Sequence, residues 1–437
     1  MSVMTLNEIK EKVLKAIDEN KDAVCQIAQE VLSHPELGYR EEKTSALVRR
    51  EFEKLGISYV YPCALTGVKG KLRGRENNVN VCVMGELDAL KCAGSPIADS
   101  KDNAHACGHN AQIATLIATA MAFKQSGVME ELDGDVTFFA VPAEEFIEMD
   151  YRKSLKDTGK IQYYGGKQQL IAEGAFDDVD MAMMVHAQPE EESAKFFVQG
   201  KNLGFLAKNI TFHGKAVHGS MPFDGVNALN AAALAILGVH ANRETFREDE
   251  KIRIHPIITK GGDVVNSVPD EVCIDTYVRG ATFEAIQKGN RAVERAVAGA
   301  SSMVGATATI EDIPGYLPLD ESLDLSFLFE ENAKVLVGED NVIYDSVVTG
   351  SSDVGDLSNV LPTIQPSVGG FKGKLHSQEF CVKEPEFAYL LPAKVMAMTI
   401  CDLLYNRAEK AKAVKANFKA KMTKDEYMKY LKGRTEE

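Results

Sequence analysis

The sequence predicts an α/β protein in which a mostly parallel sheet flanked by helices carries an inserted α+β domain. Three observations lead there. Short apolar, β-branched runs alternate with helical patterns in the first part of the chain, as buried parallel strands and their covering helices do. Near residue 204 the pattern changes to strands with one solvated face, and near Gly315 the earlier pattern resumes. The chain's 437 residues also exceed what one hydrophobic core usually organises, so two domains are expected.

Taken in order, TLNEIKEKVLKAIDENKDAVCQIAQEVLSHPEL spaces its apolar residues for one or two amphipathic helices. Strand runs follow in VNVCVMG, ending near 85, DVTFFAVPA, ending near 143, and VDMAMMVHA, ending near 187. Between the first two, ATLIATAMAFKQSG is an alanine-rich helical pattern closed by Gly127. From 204 to 314, AKNITFHGKAVHGS, NALNAAALAILGVHANRETF, KIRIHPIITKGG, EVCIDTYVRG, FEAIQKGNRAVERAVAGASSMVG and ATATIED give the order β-α-β-β-α-β. That order folds as a ferredoxin-like four-stranded antiparallel sheet with two helices on one face. The first domain, residues 1–203, then continues as 315–437, with a helix around 323 to 335 and a loop leading towards Gly369 and Gly370. The lysine-rich residues from about 407 read as a solvated helical tail.

A net charge of −15 argues against the clustered cationic surface that phosphate binding needs, so no nucleic-acid partner is expected. The N-terminus is charged throughout and lacks the apolar stretch of a signal peptide. No uninterrupted apolar run of about 18 residues follows, so no membrane partner is expected. Eight cysteines at irregular spacing point to reduced thiols, and with the missing signal to a cytoplasmic protein.

The chemistry concentrates in Asn103-Ala104-His105-Ala106-Cys107-Gly108-His109-Asn110. Off a helix, residues two apart point the same way, so Cys107 and His109 can reach one ion, and Gly108 permits the close approach. Alone, this stretch equally suits a turn that caps the following helix. Other positions tip the balance. DVTFFAVPA runs into Glu144-Glu145, VDMAMMV into His186, and VNVCVMG into Glu86-Leu87-Asp88. Carboxylates and an imidazole at the C-terminal ends of three strands fall on the edge where parallel sheets place their sites. Each has a bland reading, a solvated acidic loop or a hydrogen-bonded turn histidine, but one shared site explains all of them together.

These residues also carry a resemblance. HACGHN, Ala143-Glu144-Glu145, the His186 strand end, AVHGSMPFDGVNAL, GGDVVNSVPDE and His376-Ser-Gln-Glu-Phe resemble the metallopeptidase and amidohydrolase family of aminoacylases, indole-acetyl-amino-acid hydrolases, p-aminobenzoyl-glutamate hydrolase and β-alanyl-lysine-type dipeptidases. The resemblance spans nearly the whole chain. It implies a zinc-peptidase-like fold with an inserted lid and dimerisation domain. It further implies that Cys107, His109, Glu145, His186 and His376 bind two divalent metals, zinc foremost, with manganese, cobalt or nickel as alternatives. Glu144 would be the catalytic base, left free because Glu145 is tied to metal. Asp88 or Glu86 would orient a ligand from behind. His218 would reach the active site of the other subunit of a homodimer and stabilise the oxyanion, where without the family it reads as a surface turn. Asn266 and Arg279 would hold the substrate carboxylate, though both could be strand-end polar residues.

The implied substrate is an N-acyl amino acid or a dipeptide. The sequence departs from the family's commoner pattern in carrying Asn110, Ala111 and Gln112 after the CGH core and Glu86 in place of Asp. Two extra stretches, roughly 91–103 and 149–170, flank the expected site. A dipeptidase or carboxypeptidase would use the same chemistry. A non-catalytic subunit of a hetero-oligomer is disfavoured because Glu144 is retained beside a full ligand set. A structural zinc site at His105, Cys107 and His109 would need a second Cys/His knuckle, which the sequence does not contain.

Overall fold

The computed structural model describes residues 4–190, 194–344 and 347–432. The chain forms two compact units, the first of Met1–Gly200, Asp320–Val347 and Asp356–Lys424, the second of Lys201–Leu319, Val348–Gly355 and Asp425–Glu437.

The first unit is built on a six-stranded sheet whose strands lie in the order Ser58–Cys63, Gly67–Leu72, Asp135–Val141, Asn80–Glu86, Met181–Met183, Thr363–Ile364. The first two pairings are antiparallel and the remaining three parallel. Every residue of Asn80–Glu86 and Asp135–Val141 is buried, which is why their sequences are continuous apolar runs without alternation. Helix Leu6–Glu19 buries Ile9, Val13, Ala16 and Ile17 along one stripe and starts at a capping box in which Thr5 accepts from Glu8 N–H and Glu8 accepts from Thr5 N–H. Helix His109–Ser126 is buried on all sides through its first four turns. One helical stretch among the described residues, Glu386–Leu404, is long and apolar enough to cross a membrane, but 83% of it is buried inside the protein, as a core helix is.

The run VDMAMMVHA is not one strand of the central sheet. It divides into Met181–Met183, within that sheet, and His186–Pro189, which pairs in parallel with Ser367–Lys372 in a second sheet. Ala182, Met184 and His186 N–H groups donate in turn to the carbonyls of Pro362, Ile364 and Pro366, so the two chains leave the central sheet together as a ribbon. His186 therefore opens a strand where a strand end was expected. Apolar periodicity cannot reveal such a bend, because both halves are buried.

In the second unit the strands run Arg253–Ile254, Glu271–Gly280, Gly204–His213, Thr307–Pro314, with Ile257–Lys260 also on Glu271–Gly280. All pairings are antiparallel. The expected strand KIRIHPIITKGG is split around His255-Pro256, where proline has no N–H to give the ladder. Glu271–Gly280 alternates strictly, sending Val272, Ile274 and Val278 into a core shared with helices Ala228–Ala241 and Phe283–Val304. The order is the ferredoxin-like one.

The lysine-rich end is not a solvated tail. Ala408, just ahead of one helix, Ala411 and Val414 within it, and Tyr427 and Leu431 in the next are buried, and Tyr430 meets Phe283 edge-on with ring centroids 5.4 Å apart. Lysine stems mask this apolar stripe in the sequence, and some of their charges are paired, as in Lys410 Nζ to Asp402 Oδ1 at 3.1 Å.

Two glycines test the packing in opposite directions. A Cβ on Gly299, in an exposed helix interior, meets no neighbouring atom, whereas one on Gly166 would sit 1.6 Å from Pro142 O. Gly299→Ala should raise unfolding free energy by roughly 0.5–1 kcal/mol. Gly166→Ala should lower it by about 1–3 kcal/mol through overpacking. Denaturant melts of the two variants would measure both.

Candidate metal centre

All five expected metal ligands lie in the first unit. Gly108 adopts φ +85° immediately before helix His109–Ser126, and a Cβ there would come within 2.6 Å of Ala187 Cβ. That left-handed residue lets Cys107 and His109 face one cluster from either side of a helix start. Ala143, at φ +56°, turns the chain out of strand Asp135–Val141 so that Glu144 and Glu145 enter the same cluster. His376, at φ +61°, is presented by a loop whose N–H donates to Ala106 O at 2.8 Å. Non-glycine residues at positive φ are uncommon, and here two of them deliver the site's side chains.

Cys107 Sγ stands 3.4 Å from His186 Nε2 and 3.4 Å from His376 Nε2, and His376 Nε2 is 3.3 Å from Glu145 Oε1. Two ligand groups result, Cys107 with His109 and His186, and Cys107 with Glu145 and His376, each with donor atoms within 4.8 Å of one another. Bonds of about 2.0–2.3 Å in tetrahedral array have edges of roughly 3.3–3.7 Å, so these separations are those of donors sharing an ion.

Two tautomers are set from behind. His109 Nδ1 is 2.8 Å from Asp88 O and His186 Nδ1 is 2.8 Å from Ala187 O. A carbonyl only accepts, so each Nδ1 carries hydrogen and each Nε2 is the metal-facing nitrogen. His109 Nε2 and Glu145 Oε1 are buried without an aligned hydrogen bond. Buried polar atoms left this way in a cluster of soft and borderline donors fit a cation.

The cluster's electrostatics agree. Burial pushes the Cys107 thiol up, but His186 and His109 more than reverse it and hold the group well below its ordinary value. Burial pushes His109 down, yet Glu86 and the Cys107 thiolate raise it well above the usual imidazole range. His376 is pushed up to about 11 by its contacts with Cys107 and Glu145. Without metal, protons on imidazoles balance the thiolate. His105 stays apart from both ligand groups, fully buried with neither ring nitrogen partnered, and burial drives it down to about 3.

Sequence reasoning missed two of the residues that hold the Ala143–Glu145 turn, Glu41 and Arg152, though it named Asp88. Glu41, fully buried, accepts from Ala143 N–H at 2.8 Å and from Thr66 Oγ1 at 2.7 Å, and burial raises it to about 7. Asp88 accepts from Glu145 N–H at 2.9 Å. Arg152, 1% exposed, donates to the carbonyls of Ala143, Tyr164 and Glu145. The two extra stretches thus serve the site. Residues 149–170 supply Arg152, and in 91–103 the Ala93 carbonyl accepts from Gln378 Nε2 at 2.7 Å, tying down the His376 loop.

The other expected residues lie in the second unit. His218 and Asn266 are neighbours there: Gly219 N–H donates to Asn266 O at 2.7 Å, and His218 bridges Ser267. The His218 ring is exposed, its Nδ1 accepting from Ser220 N–H at 3.1 Å. Arg279 is not brought to them. It stands near the far end of Glu271–Gly280, about 25 Å along the strand by its rise per residue. There it donates to Ser351 Oγ at 2.9 Å, with its guanidinium 5.4 Å from the Phe205 ring.

Comparison with known proteins shows what the chain is similar to. Residues 201–301 match the peptidase dimerisation domain. The mouse Xaa-Arg dipeptidase is 26% identical over 98% of this chain and 96% of its own length. The IAA-amino acid hydrolase ILR1-like 4 of Arabidopsis thaliana is 26% identical over 82% of this chain and 80% of its own. In fold the chain is similar to a dinuclear metal-binding peptidase of the M20 family from Bacillus subtilis, with a TM-score of 0.69 at 21% identity over 89% of this chain and 99% of that one. The resemblance to the metallopeptidase and amidohydrolase family holds along nearly the whole chain.

Two outcomes follow from this geometry. Protons compete with metal for His109, His186 and His376, all raised without metal, so metal affinity should rise with pH and loading should release protons. Calorimetry in buffers of different protonation enthalpy would detect the release; affinity unchanged across the neutral range would contradict it. Arg152→Met should destabilise the fold by about 1–3 kcal/mol for each buried carbonyl left bare, read as a shifted denaturation midpoint.

Proposed function

We propose that the protein hydrolyses an amide bond in an N-acyl amino acid or small peptide-like substrate, using two divalent metals and Glu144 as general base. The observation that carries this reading is Cys107 standing 3.4 Å from both His186 and His376, so that one thiolate belongs to two ligand groups. A metal pair in such a site acts as a Lewis acid on the scissile carbonyl and makes an attacking water more acidic. Glu144 is buried and lies in one group with Glu86 and His109, ligand atoms within 4.8 Å. Its neighbour Glu145 meets His376, which leaves Glu144 to take a proton from the attacking water and deliver it to the leaving amine. Glu41, Asp88 and Arg152 hold the backbone from which both glutamates project.

A dipeptidase acting at the same site is the second reading, favoured by a relative named Xaa-Arg dipeptidase that matches 98% of the chain. The thiolate donor supports zinc, with manganese, cobalt or nickel as alternatives. The dimerisation-domain match supports a homodimer in which His218 and Asn266 act on substrate from the second unit. Eight free cysteines fit a reducing compartment, supporting a cytoplasmic location.

The test combines metal analysis with hydrolysis of a panel of N-acyl amino acids and dipeptides. Glu144→Ala should lose roughly 10²–10⁴ in turnover while keeping its metal. Undiminished turnover would remove Glu144 from the role of base.

A further inference from the structure

Strand Asn80–Glu86 ends in a carboxylate that the five-ligand reading leaves without a part. Glu86 is fully buried, and its Oε2 lies 3.0 Å from His109 Nε2. That nitrogen is the one turned away from Asp88, and it makes no aligned hydrogen bond. In the metal-free protein the two atoms pair as carboxylate and protonated imidazole; with a metal in the proton's place both would be donors. Donors bonded to one ion at about 2.0–2.2 Å in tetrahedral array stand roughly 3.3–3.6 Å apart, so a small opening of this contact would seat both on one cation. The carboxylate is also fixed in place. Gln112 Nε2 donates to Oε2 at 2.9 Å, Glu86 N–H donates to Gln112 Oε1 at 3.0 Å, and Lys167 Nζ lies 2.6 Å from Oε1.

Lys167 is fully buried, in the helix Gly166–Ala172 that begins within the extra stretch 149–170. A buried ammonium is strongly disfavoured unless paired, and Glu86 pairs it. The pairing uses Oε1 and leaves Oε2 facing His109. We propose that Glu86 is a sixth protein ligand, bound through Oε2 to the ion held by His109, with Lys167 as its buried counter-charge. This rests on the metal-pair reading above and deepens it. The two ions become unequal: beside Cys107, His109 and His186 one ion gains Glu86, which forms with His109 and Glu144 a ligand group of its own. Cys107, Glu145 and His376 give the other three donors, beside the half-exposed His376 ring. With Glu144 beside the first ion and only three donors on the second, the second keeps a position open for substrate.

The test is Co²⁺ titration of the metal-stripped full-length protein, following stoichiometry by chelator competition and ligand number by the visible absorption spectrum. Glu86→Gln should lose more than about 100-fold in affinity for one of two Co²⁺ ions, with a changed spectrum, while the other ion is bound as before. A residue that merely positions a ligand would cost about 10–100-fold. The double variant Glu86→Gln/Lys167→Met guards against misfolding from an unpaired ammonium and should show the same loss. Lys167→Met alone, which removes a repelling charge, should keep both ions bound at least as tightly as the wild type. The proposal is overturned if Glu86→Gln or the folded double variant binds two Co²⁺ with wild-type affinity and spectrum, or weakens within the positioning range without a spectral change. Wild-type protein taking up fewer than two Co²⁺ ions would overturn this proposal and the metal-pair reading together.

Discussion

The structure of the site depends on one buried sulfur. Cys107 Sγ touches an imidazole from the ribbon leaving the central sheet and another from the His376 loop, and each of those carries its own companions. A thiolate in a dry interior cannot exist without cations, and the surrounding side chains answer that demand with protonated imidazoles when no metal is present. Metals replace the protons. The same electrostatic requirement therefore underlies the arrangement of the ligands and their readiness to take up ions.

Around that sulfur the fold spends buried charges on backbone. Glu41, Asp88 and Arg152 satisfy the peptide groups of a turn whose first residue, Ala143, stands at positive φ. Gly38 admits this construction, because a Cβ there would come within 2.5 Å of Arg152 Nη2. Catalytic geometry of this kind needs rigid support, since a glutamate displaced by about 1 Å loses much of its rate advantage.

Much of this was legible in the sequence. The buried strands announce themselves as apolar runs; Glu145 and His186 stand out because they follow such runs, Cys107 and His109 because they lie two apart ahead of a helix, and His376 is reached only through the family resemblance. His186 was legible as a ligand, yet its place was misjudged, since a ribbon that changes sheets keeps the apolar character of both. Glu41, Arg152 and Lys167 were not legible at all. In sequence a single charged residue resembles any surface charge, and only burial at 0%, 1% and 0% distinguishes them. The lysine-rich end misled for the converse reason: its apolar stripe is hidden among charges that reach solvent on long stems.

In the second unit, His218 and Asn266 sit side by side on adjoining segments, while Arg279 is engaged elsewhere by Ser351 and two aromatic rings. The central claim concerns the first unit alone, and it is tested most directly by anomalous diffraction from crystals grown with zinc. The account predicts two peaks about 3.5–4 Å apart, both within bonding distance of Cys107 Sγ. A single peak, or two peaks that do not share that sulfur, would contradict it.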